Sequence, residues 1–169
     1  MPNYCENLLI IRGSKKQREE FKKKYCERVH LEYSNKDVIS LIFENVIPEP
    51  KTIEECPGAY IIHNAEEARQ HCLSWEENDE RRWFNWYNWR RNYWGTKWGG
   101  LPVHSTETKT SLRLWFDTAW TPPLGVIRKL ILDNYNLKIV CKFDEPGMDI
   151  HGKIMYSDFD NPEDLKEDK

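Results

Sequence analysis

Six of the eight tryptophans fall between Trp75 and Trp98, and Arg81, Arg82, Arg90 and Arg91 are interleaved with them. Indole faces stack on planar groups and attract cations, while arginine pairs with carboxylate or phosphate, so this stretch carries the strongest binding signature in the chain. Trp83, Phe84, Trp86, Tyr87, Trp89, Tyr93 and Trp94 read as a helix on which positions 86, 89 and 93 form one stripe. Rings left outside would stack on bases or anchor a protein partner. The structural alternative is that this helix covers the sheet face left open by two core helices, where Arg113 and Trp115 would meet it.

The run Trp94-Gly95-Thr96-Lys97-Trp98-Gly99-Gly100 sets one cation among two indoles and three glycines. Glycine permits a close backbone approach or a positive φ, so the run serves either as a structural hub or as a ligand site. Lys97 is placed to meet a phosphate or carboxylate, or to neutralise Glu145. The run lacks the GxxxxGK[ST] spacing of a phosphate-binding loop. Asp117-Thr118-Ala119-Trp120-Thr121-Pro122-Pro123 follows a strand and opens a helix, where Asp117 or Thr121 would cap free N–H groups or the helix terminus would hold an anion. The candidate binding set is Arg82, Trp86, Trp89, Arg90, Trp94, Thr96, Lys97, Trp98, Trp120 and Glu145.

Catalysis has little to build on. His30, His63, His71, His104 and His151 are scattered without metal-ligand spacing, and no GxSxG elbow is present. Asp117 and Glu145 are expected at opposite edges of the sheet, too far apart for one substrate. No catalytic residue, metal site or cofactor is expected. The five cysteines, Cys5, Cys26, Cys56, Cys72 and Cys141, form no CxxC pair and read as reduced thiols. A net charge of −3 leaves phosphate polymers no general attraction, so nucleic acid would need a local basic patch. The start of the chain lacks a signal-peptide pattern and no apolar run is long enough to cross a bilayer, so the expected location is the cytoplasm, with no membrane partner.

The elements that must position these residues alternate. Tyr4–Arg12 reads as a strand, Ser14 caps a helix running to about Val29, and Asp37–Ile47 reads as a second strand. Residues 48–108 interrupt the pattern with a helical, tryptophan-rich insertion. Lys109–Asp117 alternates as a strand, and a helix begins near Pro122 and Pro123. Leu137–Phe143 alternates again, and Met148–Tyr156 adds a terminal strand. Two βαβ units make an α+β, ferredoxin-like split βαβ sandwich with an antiparallel sheet and both helices on one face. The domain is expected over 1–157, with an acidic disordered tail over 158–169. Strands one and three should lie together in the centre. The loop from Asp117 to Pro123 is expected near Gly13, at the edge opposite Glu145-Pro146-Gly147.

Five phrases, Met1-Pro2-Asn3-Tyr4-Cys5-Glu6-Asn7-Leu8, Phe43-Glu44-Asn45-Val46-Ile47-Pro48-Glu49-Pro50, Asn92-Tyr93-Trp94-Gly95-Thr96-Lys97-Trp98, Phe116-Asp117-Thr118-Ala119-Trp120-Thr121-Pro122-Pro123 and Glu145-Pro146-Gly147, stand in this order along the chain. Through them the chain resembles the YubB ferredoxin-like family. These phrases span most of the chain in order. One departure is Gly99-Gly100, where relatives tend to carry an acidic residue and an alanine. The family occurs on bacteriophages and conjugative plasmids, without a settled biochemical activity. The resemblance implies a mobile-element protein in the bacterial host cytoplasm. The expected function is non-enzymatic binding through the aromatic-arginine insertion, inhibiting a host defence factor. A host protein is the expected partner, and the alternative is a nucleotide or nucleic acid sequestered on the same rings.

Overall fold

The computed structural model describes residues 3–50, 60–61, 82–83 and 86–155. The helix expected from Asn64, His63, His71, Cys56, Cys72 and the acidic tail lie outside the described residues.

Strand β1 (Tyr4–Arg12) is the centre of the fold. It pairs antiparallel with β7 (Ser111–Ala119) on one side and β8 (Lys138–Glu145) on the other. Beyond them lie β6 (Leu101–Glu107) and β9 (Ile150–Met155), giving the order β6-β7-β1-β8-β9. The register sets Leu9 between Leu114 and Cys141, and Ile11 between Leu112 and Ile139. Side chains alternate along a strand, so these residues share one face. They pack under α1 (Lys15–Tyr25) and α3 (Leu124–Asp133), with Phe21, Tyr25, Val126, Ile127, Leu130 and Ile131 in the same buried cluster. The sandwich is the ferredoxin-like α+β arrangement.

Helix α1 opens on a reciprocal cap: Ser14 Oγ accepts from Gln17 N–H, and Gln17 Oε1 accepts from Ser14 N–H. It ends at Tyr25, four residues before the expected Val29. Cys26 is extended, and β2 (Cys26–Leu31) pairs with β3 (Lys36–Leu41), setting Val29 against Val38. Asn35, at φ 49, supplies the left-handed step in the turn between them. The spacing of Phe21, Tyr25 and Val29 fits a helix, but cross-strand pairing decides the third position.

The second expected strand stops at Leu41, and Phe43–Asn45 forms a 3₁₀ turn that buries Phe43. The β2–β3 hairpin forms its own two-stranded sheet. The edge beside β7 is taken by β6, which lies in the span expected to be insertion. β3 meets β6 through Ile39 N–H, which donates to Ser105 Oγ at 2.8 Å. Two short strands of the insertion, β4 (Tyr60–Ile61) and β5 (Arg82–Trp83), pair with each other.

The expected placement of the sheet ends is overturned. Both partners of β1 are antiparallel to it, so the ends of β7 and β8 both meet its start: Glu6 lies between Asp117 and Asp144. Gly13 is at the far end, its N–H donating to Thr110 O. Asp117 and Glu145 therefore share an end of the sheet. Strand alternation nevertheless sends them to opposite faces, Asp117 with Glu6 and Glu145 with Cys5 and Thr118.

An ion-pair cluster built on the buried Arg18 ties α1 to the β6–β7 turn. Arg18, 2% exposed, donates to Glu107 Oε1 (3.2 Å), Gly13 O and Thr108 O, while Lys22 Nζ lies 2.8 Å from Glu107 Oε2. The hydrogen bond from Lys22, joined by that from Arg18, holds the Glu107 carboxyl below its ordinary range against the opposing effect of desolvation. A carboxyl depressed in the folded state stabilises above its unfolded pKa, about 4.3 for glutamate, and that contribution is lost as pH falls through the folded value. Urea unfolding from pH 6 to pH 3 should therefore show a stability loss in acid that is reduced in Glu107→Gln. Identical pH slopes for the two proteins would exclude this role.

Cys5, Cys26 and Cys141 are free thiols. Burial pushes Cys5 up to about 11, and Cys26 and Cys141 up to about 12, so they remain protonated and poorly nucleophilic at neutral pH. No helix among the described residues is long and apolar enough to cross a membrane.

Candidate functional site

Helix α2 (Trp86–Tyr93) and the run after it join the core where β7 turns into α3. Trp89 and Trp94 are 6% and 0% exposed. Trp94 meets Phe43 edge-on at 5.7 Å and Trp89 at 5.7 Å, and its Nε1–H donates to Ile47 O at 3.0 Å. Trp89 stacks on Tyr93 at 4.9 Å. Arg90 pairs with Glu49 at 2.6 Å and lies 4.8 Å over the Trp94 ring. These residues are fixed by the core, which corrects the expectation that Trp89, Arg90 and Trp94 present themselves to a partner. Nor do the described rings of this segment cover the open sheet face: Trp94, against which Trp89 packs, meets Phe43, which meets Phe116 on the helix side of the sheet. Trp115 on the open face has the His104 ring 5.2 Å away.

Gly95 ends α2. Its φ of 88 is a left-handed value that glycine adopts without strain, and its N–H returns to Arg90 O. The reversal brings two turns into register. Thr121 Oγ1 donates to Gly95 O (2.7 Å), Thr96 Oγ1 to Ala119 O (3.0 Å), and Thr118 Oγ1 to Thr121 O (2.8 Å). Asn7 Nδ2 reaches Thr118 Oγ1 from β1 at 2.9 Å. The hydroxyl of Thr121 is thus committed to Gly95, and α3 has no side-chain cap, so neither Thr121 nor Asp117 has the capping role expected of it. Trp120 sits at φ 68, held by its N–H to Asn3 O at 3.0 Å. A tryptophan in that region carries backbone strain, and the residue remains 42% exposed.

What these turns leave outside is a groove of about 380 Å³ lined by Tyr87, Arg91, Gly95, Lys97, Ala119, Trp120, Thr121 and Met148. Lys97 Nζ lies 5.6 Å from the Tyr87 ring centre and 5.4 Å from that of Trp98, and Arg91 lies 5.5 Å over Tyr87. Among the described residues no carboxylate forms an ion pair with either cation. The expected neutralisation of Glu145 by Lys97 is not made. Glu145 is 1% exposed and accepts from the N–H groups of Gly147 (3.2 Å) and Met148 (2.6 Å), fixing the turn that brings Met148 to the groove.

The candidate set therefore divides. Lys97 and Trp120 line the groove, and Trp98 flanks Lys97 with its buried Nε1 lacking an acceptor among the described residues. Trp89, Arg90, Trp94, Thr96 and Glu145 build the frame. Arg82 and Trp86 are placed by backbone alone, in β5 and at the start of α2, and their side chains lie outside the described residues. Met148 was missed by sequence reasoning, while Tyr87 and Arg91, named within the aromatic-arginine stretch, were left out of the candidate set. Tyr87 and Arg91 are four residues apart and neighbours on one helical face, a spacing that was available as a signal.

The arrangement can hold an anion against two ammonium or guanidinium groups and a planar group against an indole. Among the described residues no group of three or more histidine, cysteine or acidic side chains could hold a metal ion. Neither a curated protein nor a solved structure matches the chain. Residues 94–169, from the buried Trp94 onward, match the family model described as the ferredoxin-like domain in Api92-like protein, in agreement with the ferredoxin-like fold.

Proposed function

We propose that the protein is a non-enzymatic binding protein of a phage or other mobile element that opposes a bacterial host defence by capturing an anionic ligand. The observation that carries this reading is the pairing of Lys97 and Arg91 with Tyr87 and Trp120 around one groove. Aromatic rings hold the cations in place without neutralising them, so their charge is available to an incoming anion. The volume lies near the lower end of the range for small-ligand pockets, about 300–1,000 Å³. The mobile-element setting follows from the resemblance to the YubB family.

A tagged protein retrieved from bacterial lysate, in nuclease-treated and untreated halves, tests this. A co-purifying anion released by salt, and lost in Arg91→Glu/Lys97→Glu, is the expected result. Equal retention by wild type and variant would remove the groove from the function.

A second reading is that the same end of the molecule docks a host protein. Tyr87, Tyr93, Trp120, Leu124 and Met148 are all exposed, and aromatic, methionine and arginine side chains are enriched at protein interfaces. A stoichiometric protein that survives nuclease and resists salt would favour it.

A further inference from the structure

We infer that the groove between α2 and the β7–α3 turn is a nucleoside-phosphate site, in which Lys97 and Arg91 take the phosphate and the indole of Trp120 takes the base. The inference rests on the anionic-ligand reading above and names the chemistry of that ligand.

A phosphate requires positive charge that the protein has not already neutralised. Lys97 is half-buried, its ammonium 5.6 and 5.4 Å from two ring centres, and Arg91 stands over the same Tyr87 ring. Among the described residues neither forms an ion pair. The chain as a whole is at −3, so this local pair must supply the attraction.

The base side of the argument is Trp120. A bulky side chain at φ 68 costs backbone energy that a glycine would not incur. The strain is not compensated by complete burial, because the residue is 42% exposed. Ala119 and Thr121 are tied to Thr96 and Gly95, so the indole is held at the groove rather than free to fold away. Backbone strain retained to keep a flat apolar ring at a cationic groove fits stacking on a planar ligand. A space of about 380 Å³ is the scale of one nucleotide rather than a strand. The shared chemistry could come from a free nucleotide or from the phosphorylated end of a strand.

Calorimetric titration of the full chain with AMP, GMP, adenosine, inorganic phosphate, polyglutamate and short oligothymidylates with and without a 5′-phosphate tests this. AMP, GMP or the phosphorylated strand should bind about tenfold or more tightly than adenosine and phosphate, and more weakly as salt rises. Lys97→Gln and Trp120→Gly should each weaken that binding about tenfold or more. Trp120→Gly relaxes the left-handed backbone, so its Tm should be held or raised, and its loss of affinity then reports the ring. Tight AMP or GMP binding identifies a free nucleotide as the source, whereas preference for the 5′-phosphorylated strand identifies a strand end. Nucleotides binding no better than phosphate, or unaffected by both variants, would overturn the inference. If polyglutamate then still bound through Lys97, anion capture would stand without the nucleoside. If no anion bound through Lys97, both readings would fall.

Discussion

Replacing Trp94 with alanine should cost about 3–5 kcal/mol of stability, the range for deleting a buried large aromatic side chain. The ring is fully buried, lies edge-on to Phe43 and Trp89, and has the Arg90 guanidinium over its face. In a domain of this size such a loss lowers Tm by roughly 10 °C. Trp94→Phe retains much of the packing but leaves Ile47 O without the indole N–H, which should cost about 1–3 kcal/mol. Urea unfolding of the two variants separates the packing contribution from the hydrogen bond. A change below about 1 kcal/mol in Trp94→Ala would mean that Trp94 is not the hub at which α2 joins the core.

Strand alternation carries most of the fold into the sequence. The expected Tyr4–Arg12 strand and the observed β1 have the same ends, because Leu9 and Ile11 face the helices while Glu6 and Arg12 face away. The strand containing Leu112, Leu114 and Phe116 is legible for the same reason. β6 is not, because Leu-Pro-Val-His-Ser-Thr-Glu mixes polar and apolar residues without a period and its pairing with β7 is irregular between Pro102 and His104. The relative direction of β1, β7 and β8 decides which loops meet. It follows from the connectivity of the fold, and an error there placed Asp117 at the wrong end.

The tryptophan-rich helix is legible as a helix but not as to which rings face inward. Rings occur around most of its circumference, so periodicity alone cannot assign a face. The answer depends on partners distant in sequence, Phe43 and Glu49, and on the carbonyl of Ile47. Lys97 and Trp120 stand out in the sequence as candidates because each is an isolated functional group within a turn. Their convergence with Tyr87, Arg91 and Met148 is a property of the tertiary structure.

Gly125→Ala should destabilise by about 2–3 kcal/mol net, although alanine is the better helix former by about 1 kcal/mol. Gly125 lies in the first turn of α3, directly against the backbone carbonyl of Tyr93, and a methyl group there would overlap that carbonyl. The obstacle is backbone rather than a flexible side-chain tip, so relief requires α2 and α3 to move apart. The displacement would carry Tyr87 and Arg91 away from Trp120 and open the groove. Gly99→Ala is the control, since a Cβ there meets no atom of the described residues within 4 Å. Unfolding should then show a loss at Gly125 and little change at Gly99, and AMP titration should show weakened binding in Gly125→Ala alone. A stable Gly125→Ala protein with full affinity would mean that the helices yield without disturbing the groove, and that the close approach of α2 to α3 does not position its cations.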